Sequence, residues 1–470
     1  MSDRAIFNYV NIYHITAVCE TPLHIGSAEG DAGEILIHPV TREAFIQASG
    51  LAGSFREYAD DLFGADICGK WFGSGNTEAE NRTETGQEDC RSRIVFTDGI
   101  FEKNNFNLEL RTRVRLDPVS GTTASAEVSG TGATSGQLLE TEYISRGSQV
   151  SFDIYEYYKE PGEKRILPVC LAAMDRGNIL IGGQLSNGCG QLKFTGLSRL
   201  SCDMTTGAGR KAWMNPEGAE WEDILPEIRG LDIPSANAWD LYMDVTFDHS
   251  VLVKGDAVDE DLIEQYTGQQ FGSDNRAPDV MQLLDGNRNF VIPGSSLKGV
   301  FRSRMEMIAS YKKLEKELMD LTFENRSKVF FYDALLENRM NLVVRNRIDK
   351  FTGGTRNTGL FKEAVNGGDT TFHIRLSKPA SASGAESGWN ESTSEQILAL
   401  LLLTMRDCAI GAVNVGSGSG VGRGFMTVHR ITVKDNGNTL AAVYPEENRV
   451  EDQNGLIAKC LRSIQQSEKH

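Results

Sequence analysis

Residues 291–306 read VIPGSSLKGVFRSRME. Gly294 and Gly299 have the spacing of a nucleotide-hydrolase phosphate loop, but Val300 and Phe301 stand where that loop needs Lys and Ser/Thr. The stretch is instead a tight turn leading into a basic helix. Its importance is that it occurs twice: FIQASGLAGSFREY at 45–58 answers FVIPGSSLKGVFRS at 290–303.

Working outward from this pair, four further landmarks recur in the same order. An apolar strand ends in glycine at Leu23-His24-Ile25-Gly26 and at Leu252-Val253-Lys254-Gly255. A short strand with Asp appears as RIVFTDGIF (93–101) and KVFFYDALL (328–336). An R-x-R-[LI]-D signature follows, Arg113 to Asp117 and Arg345 to Asp349, each before a Gly/Thr-rich stretch. Glycine-rich loops then lead into strands, GGQLSNGCGQLKF at 182–194 and GSGSGVGRGFMTV at 416–428. Two homologous domains are expected, 1–232 and 233–470. YHITAVCETPLHIG and WDLYMDVTFDHSVLVKG alternate as half-buried strands do, and 303–321 has helical spacing. Strand, helix, strands, helix and closing strand make each half an α+β, ferredoxin-like (RRM-like) unit.

The chain has 470 residues and a formal net charge of −17, which by itself argues against nucleic acid. The charge is uneven: 286–430 holds 20 Lys/Arg against 14 Asp/Glu. Eight cysteines form no C-x2-C pair, as expected of reduced thiols in a cytoplasm. Cys68 and Cys90 are open to zinc, with ordinary thiols the plainer reading. Met1 to Tyr13 is too polar for a signal peptide, and the apolar run Ile397 to Met405 is too short to span a bilayer, so no membrane is expected. GSGSGVGRG never satisfies G-x-G-x-x-G and precedes a strand, which removes a dinucleotide site.

IPGSSLKGVFRSRM, RNRIDKFTGGT with LFKEAVNGGDTTF, and the two glycine loops together resemble the RAMP superfamily of CRISPR-associated proteins. More narrowly they resemble the backbone subunits of type III effector complexes, here fused in pairs as in type III-D systems. The second half carries the resemblance closely. In the first, Gln47-Ala48-Ser49-Gly50 replaces the Pro-Gly-Ser-Ser turn. The resemblance implies domains with a palm and a projecting thumb hairpin that line up along a guide RNA (crRNA), beside other effector subunits. The thumb inserts between bases, and a loop carboxylate cuts the paired target RNA.

Residue by residue, Ser295 and Ser296 are expected to cap the helix, with Lys298, Arg302 and Arg304 adding cations beside a phosphate. A capped surface helix is the alternative. Arg56 is the counterpart in the first half, with Glu57 beside it. Arg423 in the glycine loop is expected to reach a phosphate, the alternative being a plain β-turn. The thumb candidates are 111–152 and 345–372, with Arg113, Arg115, Arg345, Arg347 and Arg356 beside mobile-looking segments; a solvated hairpin is the alternative. For cleavage the resemblance implies a carboxylate between the first strand and the helix turn: Asp31, with Glu29 or Glu34 in reserve, and Asp279, with Asp274 second. A divalent metal, Mg2+, held by Asp31 and Asp279 would assist in-line attack by the 2′-hydroxyl. His24 belongs to a strand end, and His38 is more readily structural than catalytic. A non-catalytic scaffold and a stand-alone precursor-RNA endonuclease are the competing functions.

Overall fold

The computed structural model describes residues 7–26, 33–73, 91–102, 105–114, 125–127, 134–136, 138–272, 275–323, 327–379 and 388–466. The chain divides into two compact units. One is Met1–Leu108, Tyr143–Leu185 and Cys189–Ser235; the other is Glu109–Glu142, Ser186–Gly188 and Ala236–His470.

In the first unit the order is β1 (Tyr9–Cys19), α1 (Ala48–Phe63), α2 (Ala65–Phe72), β2 (Ile94–Phe96), β3 (Gln149–Tyr158), α3 (Leu167–Asp175) and β4 (Leu192–Asp203). β1 pairs antiparallel with both β4 and β3, and β2 adds to β3. The resulting order β4-β1-β3-β2 is that of the ferredoxin-like unit. In β1, Tyr13, Ile15 and Ala17 alternate inward against the apolar stripe Leu51, Phe55 and Ala59 of α1.

The second unit repeats this plan with β5 (Ala238–Val251), α4 (Gly294–Tyr311), α5 (Lys316–Phe323), β6 (Val329–Phe331), β7 (Asn341–Ile348), β8 (Thr355–Ser377), α6 (Glu391–Ala409) and β9 (Thr427–Asp435). Its central order is β9-β5-β8-β6, all antiparallel. Leu297, Phe301 and Met305 of α4 repeat the i, i+4 stripe of α1. Of ILALLLLTMRDCAIG, Ile397 to Ala409 lies in the expected, largely buried helix α6; Ile410 caps its end and is exposed. α6 starts on a reciprocal capping box between Asn390 and Thr393.

The repeat extends to side-chain geometry. Phe55 meets the edge of Phe96 at 5.1 Å and Phe72 stacks on Phe96 at 6.4 Å. Phe301, Phe331 and Phe323 form the same trio at 5.5 and 6.4 Å. Ser92 and Ser327 each donate to the carbonyl of the second residue on, at the start of β2 and β6.

One sequence expectation changes. The helical spacing over 303–321 is two helices, broken where Lys313 takes φ +55° and Leu314 N–H donates back to Ala309 O at 2.9 Å. Periodicity continues through the break because both helices face one core.

Candidate nucleic-acid interface

The N-cap of α4 is Pro293, and no side chain caps it from that position. Ser295 and Ser296 lie inside the first turn, one and two residues past the first helical position, so they do not cap it as expected. The acceptor comes from across the unit: Asp333 Oδ1 takes the Gly294 N–H at 2.7 Å. Asp98 Oδ1 does the same for Ala48 N–H at the start of α1, also at 2.7 Å. This explains the Asp of the repeated short-strand landmark. It also means that a protein carboxylate already occupies part of the positive end of each helix. Gly294 is required there, because a Cβ would lie 1.9 Å from Phe331 O.

The cations of α4 are committed internally. Lys298 Nζ donates to Ser186 Oγ at 2.7 Å. Arg302 pairs with Glu306 at 2.8 Å and lies over the Phe323 ring. Arg304 Nε donates to the buried Asp407 at 2.8 Å. Arg56 is half-buried on α1.

Arg423 departs furthest from expectation. It is only 2 % exposed and bonds to Glu363. Its glycine loop is held against its own strand β5, with Ser417 N–H on Leu252 O at 2.7 Å and Gly424 N–H on Ser250 O at 2.8 Å. A Cβ on Gly424 would meet Val415 O at 1.9 Å. The close backbone approach that these glycines allow is to the chain itself. The first loop behaves alike, with Gly183 N–H on His24 O at 2.7 Å; His24 lies in an isolated β-bridge five residues past the end of β1 at Cys19, not at the strand end expected of it.

The arginines of the second thumb candidate stand on a projecting hairpin. β7 and β8 pair from Asn341↔Val365 out to Ile348↔Thr355. Asp349 Oδ1 closes the tip by accepting from Phe351 N–H and Thr352 N–H at 3.0 and 3.1 Å. Arg347 lies over Phe361 and Lys350 over Phe351, each at 4.9 Å. Arg345 reaches Glu363 at 3.4 Å. Arg356 is in β8, but its side chain is outside the described residues. Sequence reading missed the apolar members: Val344, Ile348 and Leu360 are exposed, and Phe351 is 85 % exposed at the tip. They alternate among charges in a Gly/Thr-rich stretch, a pattern that does not by itself say which face is wet.

In the first thumb candidate, Arg113 Nη2 donates to Thr141 Oγ1 at 2.9 Å; Arg115 is outside the described residues. Arg111, which sequence reading did not single out, is buried between Glu109 at 2.5 Å and Asp333 at 2.6 Å. Burial pushes the Glu109 carboxyl above its ordinary range.

Asp31, Glu29 and Asp274 lie outside the described residues. Asp279 stands at the root of the hairpin. Val280–Met281 runs parallel to β8 at Glu363 and Ala364, and Asp279 N–H donates to Lys362 O at 2.7 Å. Its Oδ2 accepts Lys362 N–H at 3.0 Å and its Oδ1 accepts from Arg276 at 2.6 Å. Lys362 Nζ ties down Asn275 Oδ1 and Arg276 O from the other side. Glu34 is exposed. His38 Nδ1 accepts the N–H groups of Val40 and Thr41, the structural role expected of it.

Among the described residues no group of three or more His, Cys, Asp or Glu side chains is gathered to hold a metal. Asp279 offers a single carboxylate. That fits only the mode in which Mg2+ keeps its waters and shares one carboxylate with substrate phosphates. Cys68 is buried, and Cys90 is outside the described residues. Among the described residues no helix is long and apolar enough to cross a membrane.

The model of the RAMP superfamily matches residues 16–193 and again 203–427. The chain belongs to the RAMP superfamily. The two matched stretches follow the two repeats, so this RAMP chain is a tandem of two such regions. No curated protein matches it. Among solved structures, a chain in a cryo-EM structure of the type III-B Cmr-beta bound to cognate target RNA is similar at 17 % identity and a TM-score of 0.29. The likeness covers 41 % of this RAMP chain and 61 % of that one.

Proposed function

We propose that this RAMP chain is a double backbone subunit of a type III CRISPR effector complex, binding guide RNA and cutting complementary target RNA. One observation carries the reading: a cationic, apolar-tipped hairpin with a carboxylate fixed at its root. Phe351 and Leu360 supply surface on which bases stack, while Arg347 and Lys350 supply charge to phosphates. Ion pairs hold most of the α4 cations and Arg423, so the hairpin rather than the helix start is the main contact.

In this reading Asp279 acts where the hairpin separates neighbouring bases. Its backbone bonds to Lys362 hold the carboxylate at a fixed place on the hairpin root. Arg276, with a side chain 83 % exposed, is free to turn from Asp279 toward a phosphate. A divalent metal bound there, with Asp279 as donor and Asp31 its expected counterpart, would stabilise charge as the 2′-hydroxyl attacks the adjacent phosphate. The rival, a scaffold without catalysis, is favoured by the Asp279–Arg276 pair, which uses the carboxylate structurally.

The test uses the native affinity-purified complex: sequence the co-purifying RNA, then add complementary target RNA and Mg2+. Short repeat-derived guides and target cuts at regular intervals are expected. Asp279→Ala and Asp31→Ala should each remove a subset of cuts with guide content unchanged. Guides with uncut target would leave the scaffold, and absence of RNA would refute both. Cleavage of precursor RNA by the purified chain alone would favour the stand-alone endonuclease.

A further inference from the structure

One lysine of the hairpin grips the segment that leads to Asp279 at several points. Lys362 stands on β8, where its backbone exchanges hydrogen bonds with Asp279. Lys362 O accepts from Asp279 N–H at 2.7 Å, and Lys362 N–H donates to Asp279 Oδ2 at 3.0 Å. Its ammonium holds what comes before. Nζ donates to Asn275 Oδ1 at 2.8 Å and to Arg276 O at 3.1 Å, and it lies over the Phe271 ring at 4.8 Å.

The held segment connects the helix Glu260–Thr267 to the short strand Val280–Met281. Asn275 Nδ2 donates to Gln270 O at 2.6 Å, and Gly272 and Asn275 exchange backbone bonds at 3.0 and 3.2 Å. Phe271 N–H donates to Glu264 Oε1 at 3.2 Å. These bonds shape a turn, and the Lys362 ammonium fastens that turn to β8.

The consequence falls on Arg276. Its carbonyl is held by Lys362, while its guanidinium reaches Asp279 Oδ1 at 2.6 Å. The backbone of Arg276 therefore stays in place when its exposed side chain turns. We propose that Lys362 is a positioning residue for target cleavage: its ammonium fixes where Arg276 and Asp279 stand relative to each other and to the hairpin. A misplacement of about 1 Å in such a pair slows a reaction by up to roughly 100-fold. The role rests on the reading of Asp279 as the cutting carboxylate. It is separate from RNA binding, which the hairpin tip carries.

The test compares two variants. Lys362→Met keeps an unbranched side chain over Phe271 and both backbone bonds to Asp279, and removes the charge. Lys362→Arg restores a cation that can donate to both oxygens. In hydrogen exchange of the full-length chain without RNA, the bonded amides of Phe271, Gly272 and Asn275 should exchange about tenfold faster in Lys362→Met. They should return toward wild type in Lys362→Arg, with the thermal melt little changed in either. In the affinity-purified complex, the single-turnover cuts that Asp279→Ala abolishes should slow about tenfold or more in Lys362→Met and recover in Lys362→Arg. Guide content, target affinity and the remaining cuts should stay at the wild-type level. Unchanged exchange, or wild-type cutting in Lys362→Met, would overturn the proposal and leave Asp279 standing. Loss of guide or target affinity alongside the rate would overturn it too, since the lysine would then be merely structural. A wild-type complex without Asp279-dependent cuts would remove the cleavage reading and this role together.

Discussion

Replacing Asp333 by alanine should loosen the second unit far more than the equivalent change at Asp98 loosens the first. Both carboxylates cap a helix start at 2.7 Å, and losing a cap costs about 1 kcal/mol. Asp333 additionally accepts from Arg111 at 2.6 Å, and the Arg111 side chain is buried. A hydrogen bond to a charged group contributes about 1.5–3 kcal/mol, and a buried cation left short of an acceptor raises the cost. Glu109 remains beside Arg111, which keeps the total toward the lower end. The expected cost is about 3 kcal/mol for Asp333→Ala and about 1 kcal/mol for Asp98→Ala. Native-state hydrogen exchange reads each unit separately. Amides of α4 should exchange roughly 150-fold faster in Asp333→Ala, and those of α1 roughly fivefold faster in Asp98→Ala. Equal acceleration in the two variants would refute the reasoning, since it would mean that the Arg111 contact contributes nothing beyond the cap.

Two further perturbations follow from the same geometry. Burial raises the Glu163 carboxyl, but hydrogen bonds from Lys70, Lys159 N–H and Arg93 outweigh it and hold it at about 2. A folded value below the unfolded one, about 4.3, gives stability that is present above that pH and lost as pH falls toward 2. Urea midpoints of the wild type should therefore drop more steeply between pH 5 and 3 than those of Glu163→Gln; parallel curves would contradict the assignment. Phe351→Ala should leave the thermal melt within about 0.5 kcal/mol of wild type and weaken guide-RNA binding by about 1–3 kcal/mol in filter binding. Unchanged affinity would remove the hairpin tip from the interface.

Much of the architecture was readable in the chain because it is written twice. Phe55 and Phe301, Phe96 and Phe331, Asp98 and Asp333 recur in order, and two copies of an α+β pattern constrain one another more than either does alone. The alternation in β1 and β5 and the apolar run of α6 gave core faces directly, since periods of two and 3.6 follow from backbone geometry. Asp279 was singled out as a loop residue ahead of the helix turn; its place at the root of the hairpin, beside β8, came only from the structure. The side-chain roles were not readable either. Ser295 and Ser296 look like caps in the chain, but the acceptor is Asp333, 39 residues from Gly294.

Sequence by itself determined the duplication, the α+β class, the helix stripes and the failure of both nucleotide motifs, because these depend on local spacing. Only the tertiary structure decided which charges are spent. Arg423 looks like a free cation in a glycine loop, yet it is buried on Glu363, 60 residues away. Arg304 finds Asp407 across 103 residues, while Phe351 stays in solvent at a hairpin tip. A charge is neutralised, and an aromatic ring buried or left wet, by whatever the fold brings within a few ångströms, and separation along the chain carries no information about that distance.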